Sequence, residues 1–147
     1  IFIEDERIEL VASRRIHESF DNDVHVNVTS FNRNVLLTGE VPTEAVRNEV
    51  AKLVMSVENI HHIFNEITIA PKSSLSARNK DTLITAKIKS RFLNNGVFQI
   101  NHVKVITENS VVYLAGLVKR MEGKKAAELA SNTPDVIKVV KVFEYLD

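Results

Sequence analysis

The chain has 147 residues, 44% hydrophobic and 26% charged, a composition that supports a packed core and excludes a disordered chain. It contains no cysteine, which excludes disulfides, thiolate metal sites and thiol chemistry, and no run of apolar residues long enough to span a bilayer as a helix. Formal charge sums to zero, but residues 1–70 hold 6 Lys and Arg against 12 Asp and Glu, a balance of −6, while residues 71–147 hold 13 against 7, a balance of +6. Either the halves attract each other or only the second half seeks an anionic surface.

In chain order, Ile8, Val11, Ala12 and Ile16 fall at helical spacing, with Asp5 available as an N-cap. Val24, Val26 and Val28 then alternate with polar residues, and turn residues Asn32 to Asn34 lead into a second strand carrying Val35, Leu37, Gly39 and Val41, which predicts a hairpin. A second helix is expected through Val46, Val50, Leu53, Val54 and Val57, followed by a last strand ending in Ile67-Thr68-Ile69. Ala70 to Lys80 is rich in Ser, Lys and Pro, so residues 71–80 are expected to be a linker between a first domain, 1–70, and a second, 81–147.

The second half repeats this order. Ile84, Ile88 and Phe92 mark a helix with Asp81 as candidate N-cap and Gly96 as stop; Val103, Val105 and Thr107, the turn Asn109-Ser110, and Val112, Leu114, Gly116 and Val118 mark a hairpin. Ala126, Ala127 and Ala130 mark a helix broken by Pro134, and Phe143-Glu144-Tyr145 ends a strand. At an offset of 77 residues, His25, Val26 and Val28 meet His102, Val103 and Val105, and the match continues through both hairpins. The fold class is therefore α+β: a duplicated αββαβ unit, each with two helices covering one face of a three-stranded mixed sheet.

Catalytic motifs fail one by one. Ser, His and Asp occur in no nucleophile-elbow setting, and Asp21 and Asp23 fall in a turn where solvation is expected, so no enzyme and no catalytic residue is expected. No phosphate-cradling glycine loop occurs, and no cofactor is called for. His61 and His62 are adjacent in an expected strand, where their rings would point apart, and His25 and His102 sit on polar sides of strands, so no metal site is expected. The glycines Gly39 and Gly116 recur at one strand position, which suits a bulge or a close backbone approach. A KH domain would need a GXXG loop and an RRM exposed strand aromatics; neither is present, so no nucleic acid is expected.

The helix beginning near Lys80 carries two stripes. Ile84, Ile88 and Phe92 form the core face, whereas Lys80, Leu83, Lys87 and Arg91 recur at spacings of three and four on another. Three cations around one exposed leucine suit an interface where ammonium and guanidinium groups meet lipid phosphates and the leucine enters the acyl boundary. The loop Asn94-Asn95-Gly96-Val97-Phe98 brings two apolar residues that either rest on the same surface, Val97 foremost, or, for Phe98, cap the core. In the first copy Glu4, Asp5, Glu6 and Glu9 stand near the helix start, a pattern that an anionic lipid repels. A rival reading docks the basic half on the acidic one through Arg120, Lys124 or Lys125.

The stretches Val26 to Val41 (VNVTSFNRNVLLTGEV) and Val103 to Val118 (VKVITENSVVYLAGLV) both resemble the BON-domain pattern of a strand, an Asn-centred turn and V-x-L-x-G-x-V. Two such domains in tandem, the second opening with DTLITAKIKSRFL, resemble the dual-BON-domain lipoproteins of the Gram-negative periplasm, DolP/YraP-like. The resemblance implies a non-enzymatic envelope protein that supports outer-membrane integrity and binds anionic phospholipid through the first helix of its second domain. It implies a periplasmic location with an N-terminal lipid anchor on the outer membrane, although the lipid-bearing cysteine is not among these residues. The partners implied are an anionic phospholipid surface and other envelope proteins, with the chain acting as a monomer. The alternative from another class is a protein-interaction adaptor in outer-membrane assembly or envelope remodelling, using sheet edges or the acidic first domain.

Overall fold

Helical spacing in the first half becomes α1 (Phe2–Phe20), which turns Ile8, Ala12 and Ile16 toward the core. After it, β1 (His25–Phe31) pairs antiparallel with β2 (Asn34–Val41) across a two-residue turn, Asn32-Arg33, whose φ values are 48° and 62°. Two consecutive left-handed residues make a type I′ turn, which matches the right-handed twist of the strands it joins. Then α2 (Glu44–Met55), capped by the Thr43 hydroxyl accepting from the Val46 amide at 3.2 Å, returns the chain to lay β3 (His62–Asn65) and β4 (Thr68–Ile69) parallel to β2. The computed structural model describes residues 2–20 and 23–147.

The second unit runs α3 (Leu75–Phe92), a 3₁₀ turn at Ile100–His102, β5 (Lys104–Glu108), β6 (Val111–Val118), α4 (Arg120–Ser131) and β7 (Lys138–Tyr145). The hairpin turn Asn109-Ser110 repeats the type I′ geometry with φ of 49° and 67°, and β6 is central, antiparallel to β5 and parallel to β7. In each unit the middle strand sends alternate residues, Val35, Leu37 and Val41 or Val112, Leu114 and Val118, into a core closed by both helices. The chain divides into Ile1–Ser73 and Ser74–Asp147, each with its own core.

Several expectations need correction. Asp5 and Asp81 are not N-caps; both lie inside helices and are buried, where their carboxylates accept hydrogen bonds from the hairpin turn. Asp5 takes the Asn32 and Arg33 amides at 3.0 and 2.9 Å, and Asp81 takes the Asn109 and Ser110 amides at 2.8 Å each. The expected linker, 71–80, is helical from Leu75, because the Ser74 hydroxyl accepts from the Ala77 amide at 3.0 Å and starts α3 about two and a half turns before its apolar stripe begins at Ile84. The last strand of the first unit is interrupted: the Asn65 side chain accepts from the Ile67 amide at 3.2 Å, and Arg47 donates to the Asn65 and Ile67 carbonyls at 2.8 and 2.9 Å. The same pairing register with β2 resumes beyond the gap.

Smaller departures concern single residues. His61 precedes β3, so only His62 is in the strand, and His102 stands in the 3₁₀ turn. Helix α3 ends at Phe92, ahead of Gly96, and Asn94 supplies the first left-handed residue of the loop at φ 58°. Asp21 lies outside the described residues. Gly39 and Gly116 do meet the expected close approach: a Cβ on Gly39 would fall 1.9 Å from the His25 carbonyl oxygen, and on Gly116 2.2 Å from that of His102.

Candidate functional site

Two faces of α3 have different tasks. Asp81, Ile84, Ile88 and Phe92 are buried, so the inner stripe is fixed by the turn-binding carboxylate and three apolar residues. The inner face gains one further tie, a 2.7 Å hydrogen bond between the Thr85 and Thr107 hydroxyls. The opposite stripe is left in solvent: Lys80, Leu83, Lys87 and Arg91 are all exposed, Leu83 by 62%.

Three of these four line one shallow groove. Leu83, Ala86, Lys87, Ser90 and Arg91 form one bank, and Thr133 with Pro134, from the turn between α4 and β7, forms the other, around a volume of about 440 Å³. Lys87 Nζ stands 4.0 Å from the carboxylate of Asp135, the residue after Pro134. Arg91 reaches the Leu129 carbonyl at 3.5 Å; α4 has no basic residue in its own last turn, so this guanidinium sits where the helix dipole favours positive charge. Lys80 lies on the same stripe, one turn toward the N-terminus, and does not line the groove.

Val97 does not line this groove and lies in the loop beyond α3. The loop after α3 is held by one side chain: Asn95 donates to the Phe92 and Phe98 carbonyls at 2.6 and 3.0 Å and accepts from the Val97 and Phe98 amides at 2.7 and 2.8 Å. That latch drives Phe98 into the core, where it meets Phe92 edge to face at 5.0 Å, which resolves the open alternative for Phe98. It also leaves Leu93, Val97 and Ile100 exposed on a stretch, 93–101, with no charged residue.

At the matching place in the first unit the groove has other chemistry. Arg7 replaces Leu83 and is tied to Glu4 and to the Glu58 carbonyl, the latter at 2.8 Å, while Arg15 donates to the Ser56 hydroxyl at 3.0 Å. The Arg7 hydrogen bond holds the Glu4 carboxyl below its usual value of 4.5, and the same bond raises the Arg7 pKa. The acidic helix start is largely engaged within the unit: Asp5 binds the turn and Glu9 accepts from the Ser30 amide at 2.8 Å, leaving Glu6 exposed.

The duplicated αββαβ unit, with its Asn-centred turn and its glycine opposite a carbonyl, matches the BON domain over residues 4–71 and again over 80–147. The chain belongs to the BON-domain family. It is 36% identical over 147 residues to the outer membrane lipoprotein DolP of Haemophilus influenzae, covering 99% of this chain and 76% of that protein. It is also 36% identical over 124 residues to the 21 kDa hemolysin of Actinobacillus pleuropneumoniae, covering 84% and 64% respectively. Osmotically-inducible protein Y of Escherichia coli K12 is 29% identical over 118 residues, covering 79% and 59%. The chain thus spans less than two thirds of the latter two. None of the three is named for a catalytic activity.

Within the BON tandem, the stripe is repeated only at Arg91, which stands where the first domain has Arg15. Residues Lys80, Leu83 and Lys87 of the second BON domain stand where the first has Glu4, Arg7 and Val11. Sequence reasoning placed Pro134 only as a helix breaker and missed that it forms the far bank with Thr133, and that Asp135 beside them pairs with Lys87. Their signal was present as a Pro-Asp pair just past a helix end, where a left-handed residue is common, and Asp135 has φ 72°. On the other helix, Lys125 is paired with Glu128 at 3.8 Å and the Arg120 guanidinium lies 4.5 Å from the centre of the Tyr145 ring, while Lys124 is exposed.

Proposed function

We propose that this chain is a non-enzymatic protein of the bacterial outer envelope whose second BON domain docks on anionic phospholipid through Lys80, Leu83, Lys87 and Arg91, with Val97 resting on the same surface. The observation that carries the reading is Leu83, a leucine exposed by 62% beside Lys87 and Arg91 on an open groove. Near an anionic surface each cation contributes about 1 kcal/mol, and burial of the leucine about 1.5 to 3 kcal/mol. Such sums give reversible docking rather than permanent insertion, in keeping with helices none of which, among the described residues, is long and apolar enough to cross a membrane.

Similarity to DolP, named an outer membrane lipoprotein, supports the envelope location and a tether by an N-terminal lipid. A tether and a weak headgroup contact act together, because attachment converts the second contact into an intramolecular step with a high effective concentration. Co-sedimentation with anionic vesicles tests the site. Wild type is expected in the pellet, and Leu83→Glu and Lys87→Glu each in the supernatant; pelleting unchanged in both variants removes the site.

A further inference from the structure

One buried carboxylate oxygen of the first BON domain has no partner. Glu40 is 1% exposed; its Oε1 accepts from the Ser73 amide at 2.6 Å, while its Oε2, also buried, receives no hydrogen bond among the described residues. A buried acceptor without a donor is rare in folded proteins, because the water it gave up on burial has to be replaced, and a bound cation is one replacement. We propose that Glu40 and His25 form a zinc site in the first BON domain, with water completing the coordination.

Strand pairing brings the two ligands together. His25 opens β1 and Glu40 stands directly opposite it near the end of β2, so both side chains leave the same face of the sheet. A ring nitrogen of His25 and a carboxylate oxygen of Glu40 lie within 4.8 Å of each other, a span that a modest turn of the half-buried imidazole closes onto one ion, with bonds of about 2.0 to 2.2 Å. The missing Cβ of Gly39 lets the His25 backbone press against β2 beside Glu40. The Ser73 amide holds the carboxylate through its other oxygen, as outer partners of metal ligands do. Imidazole nitrogen with carboxylate oxygen suits zinc, which accepts both and imposes no geometry of its own. The second BON domain repeats the glycine and the histidine, as Gly116 and His102, but has Leu117 where the first has Glu40. The site therefore belongs to one copy, and its second ligand comes from a strand that spacing around His25 does not reveal.

Calorimetric titration of the whole chain with zinc chloride tests the site. Wild type is expected to bind zinc at this site, and His25→Ala and Glu40→Gln each to bind it about tenfold or more weakly. His62→Ala, in the exposed pair His61-His62, is expected to bind as wild type does. In amide NMR spectra, zinc is expected to shift residues 24–26 and 39–41 and to leave those around His61 and His62 in place. Uptake unchanged in His25→Ala, uptake lost in His62→Ala, or no uptake by wild type overturns the proposal. His25 is only half-buried, so His25→Ala decides the matter even if Glu40→Gln fails to fold. None of these outcomes bears on lipid docking, whose residues lie in the other domain.

Discussion

Asp81 illustrates how much one side chain fixes. Its carboxylate is 5% exposed and takes both amides of the hairpin turn, Asn109 and Ser110, at 2.8 Å. Asp81→Ala leaves these two donors without their acceptor, at a cost of about 2 to 4 kcal/mol. Urea unfolding followed through the amide signals of β5 and β6 is expected to shift accordingly, and an unchanged midpoint would show that water serves the turn equally well. Asp5 and Asp81 look like caps in the sequence because an acid just ahead of an apolar helical stripe is what a cap looks like. Nothing in the local pattern announces a carboxylate that turns inward to a loop some 28 residues away. The basic stripe was legible from spacing alone, since Lys80, Leu83, Lys87 and Arg91 avoid the positions of Ile84, Ile88 and Phe92. Asp135 was not, because its relation to Lys87 exists only once α4 has returned the chain past α3.

Among the elements, strands and helices with strong periodicity were read correctly and weakly patterned segments were not. Leu75 to Lys80 offers no apolar rhythm, only Ser74 as a cap and Ala77 as a half-buried contact, so its helicity derives from capping and from continuity with the packed turns that follow. In the first BON domain, the gap at Glu66-Ile67 depends on Arg47, 18 to 20 residues earlier, donating to carbonyls on either side of Glu66. The loop after α3 is the element on which Val97 depends. Asn95→Ala removes all four latch hydrogen bonds, and the amides of Val97 and Phe98 are expected to exchange about tenfold faster or more, consistent with about 1 to 2 kcal/mol of local stability. Hydrogen exchange measured by NMR checks this; protection equal to wild type would mean that Phe98 packing alone holds the loop.

Over the whole molecule, a charge balance of −6 in residues 1–70 and +6 in residues 71–147 makes the two BON domains unequal toward a negative bilayer. Surface electrostatics of this kind decay over a Debye length of about 10 Å at 0.1 M salt. Chemical-shift changes on adding anionic micelles are expected to concentrate in residues 80–97, to be nearly absent with zwitterionic micelles, and to fade as salt is raised. Changes centred on α1 instead would reassign the lipid-facing domain. The duplication itself carries a lesson about assembly. Each hairpin turns on two left-handed residues with side chains, and the acid that supports them belongs to the preceding helix. The hairpin therefore matures only as that helix settles on it, so a segment beginning after Phe20 or Phe92 would lack the means to hold its own bend. What evolution copied was an interdependent whole, indivisible at the helix–strand junction, and the freedom to diverge was left to the outward stripe.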